Sequence, residues 1–321
     1  MDKKLKAGIA FGVLFAIMVA GIVVSSGVQS TWGAIDVSVV SFRTEDGYDM
    51  VAKLYKPVNS GTEADPIPGV LAIHGYNNDK DVQRPHAIEL SRRGIAVLAV
   101  DVLNHGDSGY ANTSEVTAVP VAAMEYLLAL PFIDNDKIGV TGHSMGAFYS
   151  ILLTARTFIG GSGYSVRAIA PIAFSPDMVN GYLGFCRMVN PNVDILQVSS
   201  WGEEFGREHN ETINQFLQRG LDSMNDFLGI TDAAYDTTYG TFGAGATRYE
   251  VLKKTHPGQT HSRKSTAAIT QFMLQSLGGH SASTALNSAS VDMMVYWVAD
   301  LFGVISLAAL IFSIIPLGIL L

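Results

Sequence analysis

The sequence predicts an α/β fold, a mostly parallel sheet covered by helices on both faces, with an apolar segment at each end of the chain. Three observations carry that expectation. Short β-branched runs alternate with helix-like segments from Ile35 to about Gly278. A Gly-x-Ser-x-Gly pentapeptide, Gly142 to Gly146, stands between one of those runs and a helix-like segment. Uncharged apolar runs fill Ala7 to Val24 and Leu301 to Leu321.

The ends come first in chain order. Lys3, Lys4 and Lys6 precede the first apolar run, which as a helix at about 1.5 Å per residue nearly crosses a hydrocarbon core of roughly 30 Å. Ser25-Ser26-Gly27-Val28-Gln29-Ser30 is a poor match to a signal cleavage site, so residues 1–30 read as an uncleaved transmembrane anchor, with a cleaved signal peptide as the alternative. The lysines favour a cytoplasmic N-terminus and send the following chain to the extracytoplasmic side. Residues 293–321 read as a second transmembrane segment, with Tyr296 and Trp297 as interfacial anchors and Pro316 tolerated inside the span.

Between the anchors, residues 35–278 read as one domain. Ile35 to Phe42 and Met50 to Tyr55 form an opening antiparallel pair around Asp46-Gly47. Val70 to Ile73, Ile95 to Val100, Ile138 to Thr141, Ala168 to Ala173, Ile195 to Ser199 and Arg248 to Leu252 follow as internal strands. Helices are expected around Val82 to Arg93, Ser114 to Leu130, Gly146 to Phe158 and Ser262 to Leu277. An insertion at about 204–245, amphipathic from Glu211 to Leu228 and polar afterwards, reads as a lid or binding excursion.

Composition narrows the function classes. With 21 Lys and Arg against 29 Asp and Glu, a net charge of −8 gives no basic patch for nucleic acid. Cys186 is the only cysteine, so no internal disulfide forms and the grouped Cys and His of a structural zinc site are absent. Asn112-Thr113-Ser114 and Asn210-Glu211-Thr212 match the glycosylation sequon.

The chemistry converges on Ser144. A serine on a tight strand-to-helix turn is strained, and glycines two positions either side remove side chains that would clash with the neighbouring strand and helix. Its partners should follow in the order Ser, Asp or Glu, His. His261 is the first choice for the base, on the loop between the last strand and the last helix of the domain, with His256 the competitor. Glu203, just past the strand ending near Ser199, is the first choice for the acid, with Glu204 and Asp177 as alternatives. The backbone N–H groups of Met145 and Tyr76 are the expected oxyanion donors. His74 reads as a structural support for that second loop, and Asp101 with Asn104 to Gly109 as loop-shaping hydrogen-bonders rather than metal ligands.

His74-Gly75, the Asp101 to Gly109 loop, Gly142 to Gly146, a carboxylate near Glu203 and His261 together resemble the α/β-hydrolase superfamily, most nearly its dienelactone-hydrolase-like and acyl-peptidase-like branches. The resemblance implies the α/β-hydrolase fold with an eight-stranded, mostly parallel sheet, and acyl-enzyme chemistry without metal or organic cofactor. It does not imply a substrate, since one scaffold serves many acyl chemistries. The expected activity is that of a serine hydrolase on an ester-like acyl bond, and the anchors suggest a small-molecule or lipid-like acyl substrate. A catalytically silent binding domain and a serine peptidase are the alternatives. Two features depart from the usual pattern: a glutamate acid, and a stretch after Glu203 unlike a familiar lid.

Overall fold

In the computed structural model, residues 2–112, 119–159, 164–174, 176–204, 208, 210–278 and 294–321 are described. Thr113 and Ser114 of the first sequon, the start of the helix expected from Ser114, residues 205–207 and 209 of the expected insertion and residue 293 of the second apolar segment lie outside them. The strands are β1 (Ile35–Arg43), β2 (Asp49–Pro57), β3 (Ile67–Ile73), β4 (Ala96–Val100), β5 (Ile133–His143), β6 (Val166–Ile172), β7 (Asp194–Gly202), β8 (Thr238–Tyr239) and β9 (Thr247–Thr255). They form one sheet in the order β1-β2-β4-β3-β5-β6-β7-β9-β8. The run from β4 to β9 is parallel, whereas β1–β2, β2–β4 and β8–β9 are antiparallel. Eight strands match the expected set. The two-residue β8 is additional, too short to leave a periodic signal.

The helices are α1 (Lys3–Gln29), α2 (Arg84–Ser91), α3 (Val119–Leu128), α4 (Met145–Ile159), α5 (Pro176–Val189), α6 (Ile213–Leu228), α7 (Arg263–Leu277) and α8 (Tyr296–Leu320). Central strands are apolar on both faces because helices cover both, and alternation along each strand divides the core. Val70 and Ala72 of β3 join the cluster with Ala87, Ile88 and Leu90 of α2 and Ile269 and Phe272 of α7. Leu71 and Ile73 join the opposite cluster with Met124 and Leu127 of α3 and Leu153 of α4. The parallel strands therefore end together, and their C-terminal edge presents the loops that carry the expected chemistry.

Among the described residues, the segment after β7 divides into a helix and a Gly-rich return. Helix α6, which starts with a capping box between Thr212 and Gln215, packs beside α5 through Asn180 and Ser223 and through the Arg219–Asp177 pair. The Gly-rich stretch after it turns back to the start of β7, where the Asp194 carboxylate accepts from the amides of Gly243, Gly245 and Ala246 at 2.7, 3.1 and 2.8 Å.

Helices α1 and α8 are long and apolar enough to cross a bilayer, with mean hydropathies of 2.6 and 2.5. They run antiparallel to each other, since Ser25 Oγ donates to the Ala299 carbonyl at 3.0 Å and Ser306 Oγ to that of Met18 at 3.1 Å. Gly21 permits this approach, for a Cβ there would collide with Ser306. The outward faces of both helices are exposed leucine, isoleucine, valine and phenylalanine.

Candidate active site

Strand β5 ends at His143 and α4 begins at Met145, so Ser144 alone makes the turn. Its φ of 53° lies in the left-handed region, which costs a non-glycine residue free energy and persists only where the surroundings enforce it. Here they do. The Ser144 amide donates to Ile172 of β6 at 2.9 Å, and its carbonyl accepts from Phe148 at 3.1 Å as the helix starts. A Cβ at Gly142 would strike the Gly146 backbone, and one at Gly146 would strike the carbonyls of Ile73 and His74. The flanking glycines thus let α4 press against the end of β3.

That closeness brings the loop after β3 to the serine. A Cβ on Gly75 would lie 3.4 Å from Ser144 Cβ and 2.7 Å from His143 Nδ1. Met145 and Tyr76, the two expected amide donors, are each one residue from this contact. The loop is tied down by His74, buried, whose Nδ1–H donates to the Gly75 carbonyl at 2.7 Å while its Nε2 accepts from the Val102 amide at 3.1 Å. Burial lowers the His74 pKa and keeps the ring neutral in that role. Asp101, at the end of β4, accepts from the Lys80 amide and ammonium, both at 2.6 Å, and from the Asp107 amide at 2.8 Å. Burial alone would lower the Lys80 pKa, but hydrogen bonds to Asp101 and Asp107 outweigh it and raise it. The carboxylate is therefore committed to shaping its loop, and no group of three or more metal-ligating side chains is found among the described residues.

Glu203 is fully buried just beyond β7, and its Oε1 lies 2.7 Å from His256 Nδ1. Its Oε2 accepts from Gln259 at 2.7 Å. A carboxylate on Nδ1 selects the tautomer that carries the lone pair on Nε2, which suits an imidazole to take a proton. His256 in turn is fixed to the residue beside the serine: His143 Nε2–H donates to the His256 carbonyl at 2.9 Å, with ring centroids 4.8 Å apart. Burial is the largest cause that pushes the His143 pKa down to about 4, so this strut stays neutral at ordinary pH.

The expected pairing of Glu203 with His261 is not formed. His261 is exposed, and its Nδ1 faces Asp300 Oδ2 of α8 at 3.3 Å; its carbonyl accepts from Tyr296 Oη at 2.9 Å. Of the other acids, Glu204 is exposed and Asp177 is paired with Arg219 on α6. Sequence reasoning gave His143 and Gln259 no role, although adjacency to Ser144 and to His256 was the available signal. A cleft of about 580 Å³ opens over the ends of β3 and β4, lined by Asn77, Asp79, Asn104, His105 and His261.

Residues 70–270 match the family model described as the alpha/beta hydrolase family. The chain belongs to that family. No curated protein matches it in sequence. Among solved structures, the esterase Pf2001 of Pyrococcus furiosus is similar with a TM-score of 0.50 at 15% identity, over 78% of this chain and 96% of that one. Esterase Est22 gives 0.52 at 14%, over 85% and 93%. A hypothetical protein of Pseudomonas aeruginosa gives 0.51 at 14%, over 75% and 93%. At such identities these likenesses show the alpha/beta hydrolase fold alone.

Proposed function

We propose that this alpha/beta hydrolase is a membrane-anchored serine esterase, with Ser144 as nucleophile, His256 as base and Glu203 as the orienting acid. The observation that carries the reading is the strained Ser144 beside a histidine strut whose partner, His256, holds a buried glutamate at 2.7 Å. His256 Nε2 takes the Ser144 proton as Oγ attacks the ester carbonyl carbon. The amides of Met145 and Tyr76 hold the oxyanion. On collapse, the C–O bond to the alcohol breaks and the leaving oxygen takes the proton from His256. Water, deprotonated by His256, then attacks the acyl-enzyme, releasing the carboxylic acid and restoring Ser144.

The organisation proposed with it is an anchor over residues 1–30, a catalytic domain over 35–278 and a second span over 293–321. Lys3, Lys4 and Lys6 at one end of α1 support an extracytoplasmic catalytic domain. Fluorogenic or p-nitrophenyl acetate hydrolysis tests the residue roles. Ser144→Ala and His256→Ala should each lower kcat by about 10⁴-fold or more. His261→Ala should stay within about threefold of the parent, since no reacting group depends on it. Full activity in His256→Ala would overturn the assignment.

A further inference from the structure

The direction of α8 relative to the sheet carries a consequence for the substrate. Helix α2 starts, at Arg84, beside the C-terminal end of β3: Gln83, just before it, donates from Nε2 to the Ile73 carbonyl at 3.0 Å. Its other end leads into the start of β4. The buried Glu89, in the second half of α2, accepts from the amides of Val295 and Tyr296 at 2.7 and 3.0 Å. One turn later along α8, Asp300 reaches back to Arg84 and to His261. Helix α8 therefore runs antiparallel to α2 and passes the C-terminal edge of the sheet at Asp300. The twenty residues from Leu301 to Leu320, uncharged and about 30 Å long as a helix, extend beyond that edge. Helix α1 accompanies them, with Ser25 level with Ala299 and Met18 level with Ser306.

A hydrocarbon core of roughly 30 Å matches that free length, which sets the membrane surface at the height of Asp300 and His261. The same edge holds Ser144, His256 and the cleft over β3 and β4. It also exposes Tyr76, Tyr110 and Trp201, which are 67, 81 and 36% accessible, side chains suited to the headgroup layer. Asp136 and Lys137, near the start of β5, lie at the opposite edge.

We infer that the active site opens onto the bilayer surface, and that its substrate is an acyl ester resident in the membrane, an amphiphile whose ester lies at headgroup depth. The substrate half of this inference rests on the esterase reading; the orientation half rests on the proposed membrane spans α1 and α8 alone. The test uses the full chain in phosphatidylcholine vesicles with an environment-sensitive fluorophore on a single introduced cysteine, Tyr110→Cys at the catalytic edge or Val58→Cys at the opposite one. The native Cys186 is fully buried and leaves the labels distinct. The Tyr110→Cys label should shift to the blue and be quenched by headgroup-proximal spin-labelled lipid, while the Val58→Cys label keeps its aqueous emission. Equal, water-like emission from both would overturn the orientation.

For the substrate, 4-methylumbelliferyl palmitate dispersed in the vesicles should be cleaved at a rate that follows its mole fraction in the bilayer. Water-soluble 4-methylumbelliferyl acetate is the separate gauge of Ser144-dependent chemistry. Acetate cleavage without palmitate cleavage would overturn the membrane-resident substrate alone. Loss of both with the label shift intact would overturn the esterase reading.

Discussion

Ser144 stores backbone strain that the surrounding hydrogen bonds enforce, and the reward is an Oγ held at the head of α4 beside two loops that approach only because Gly75 and Gly146 lack Cβ atoms. Buried histidines tie those loops together in their neutral form, and this has a measurable cost in acid. Burial, chiefly, lowers His86 to about 3 and His143 to about 4, against an ordinary 6.5. Unfolded chains therefore bind protons between pH 6.5 and about 4 that the folded protein refuses. Stability is fully present above pH 6.5 and declines as the pH falls toward 4, by about 3 kcal/mol from His143 alone. Thermal melts across that range should show the decline, and a His86→Gln variant should show a shallower one. The His86 Nδ1–H donates to Gln83 at 3.1 Å, a bond the glutamine amide is able to replace.

At the scale of elements, the loop after β4 is held by a buried ion pair as well as by the apolar side chains of Val102, Leu103 and Ala111. Asp101→Ala would leave the buried Lys80 ammonium with the exposed Asp107 as its remaining carboxylate and should cost about 3 kcal/mol, the low end for a broken buried pair, read as a fall in the denaturation midpoint. Elements with a dense local signal were legible in the sequence: β3 and β4 as unbroken buried runs, the pentapeptide between β5 and α4, and the amphipathic α6. Helix α5 was not, because Gly181 and Gly184 interrupt its apolar residues and its burial comes from α4 and α6, distant partners. The histidines show the same limit more sharply. His256 and His261 share one loop and one flanking helix, and nothing local ranks them. Glu203, 53 residues earlier, fixes His256, and Asp300, 39 residues later, engages His261. Both contacts are tertiary.

For the whole molecule, the hairpin of α1 and α8 is joined to the alpha/beta hydrolase sheet chiefly through α2. Glu89 is the centre of that joint, accepting from Arg92 and Arg93 at 2.9 and 2.7 Å as well as from the two α8 amides. Glu89→Ala would remove the side-chain acceptor of the Val295 and Tyr296 amides, which should then exchange hydrogen faster than in the parent. The proposed catalytic centre depends on a different set of contacts. The proposed activation of Ser144 by His256 and Glu203 is tested most directly by fluorophosphonate labelling of the full chain with the modified peptide mapped by mass spectrometry. Label on Ser144 that persists in His261→Ala and disappears in His256→Ala is the predicted result. Label absent from the folded parent protein, or retained in His256→Ala and lost in His261→Ala, would contradict it.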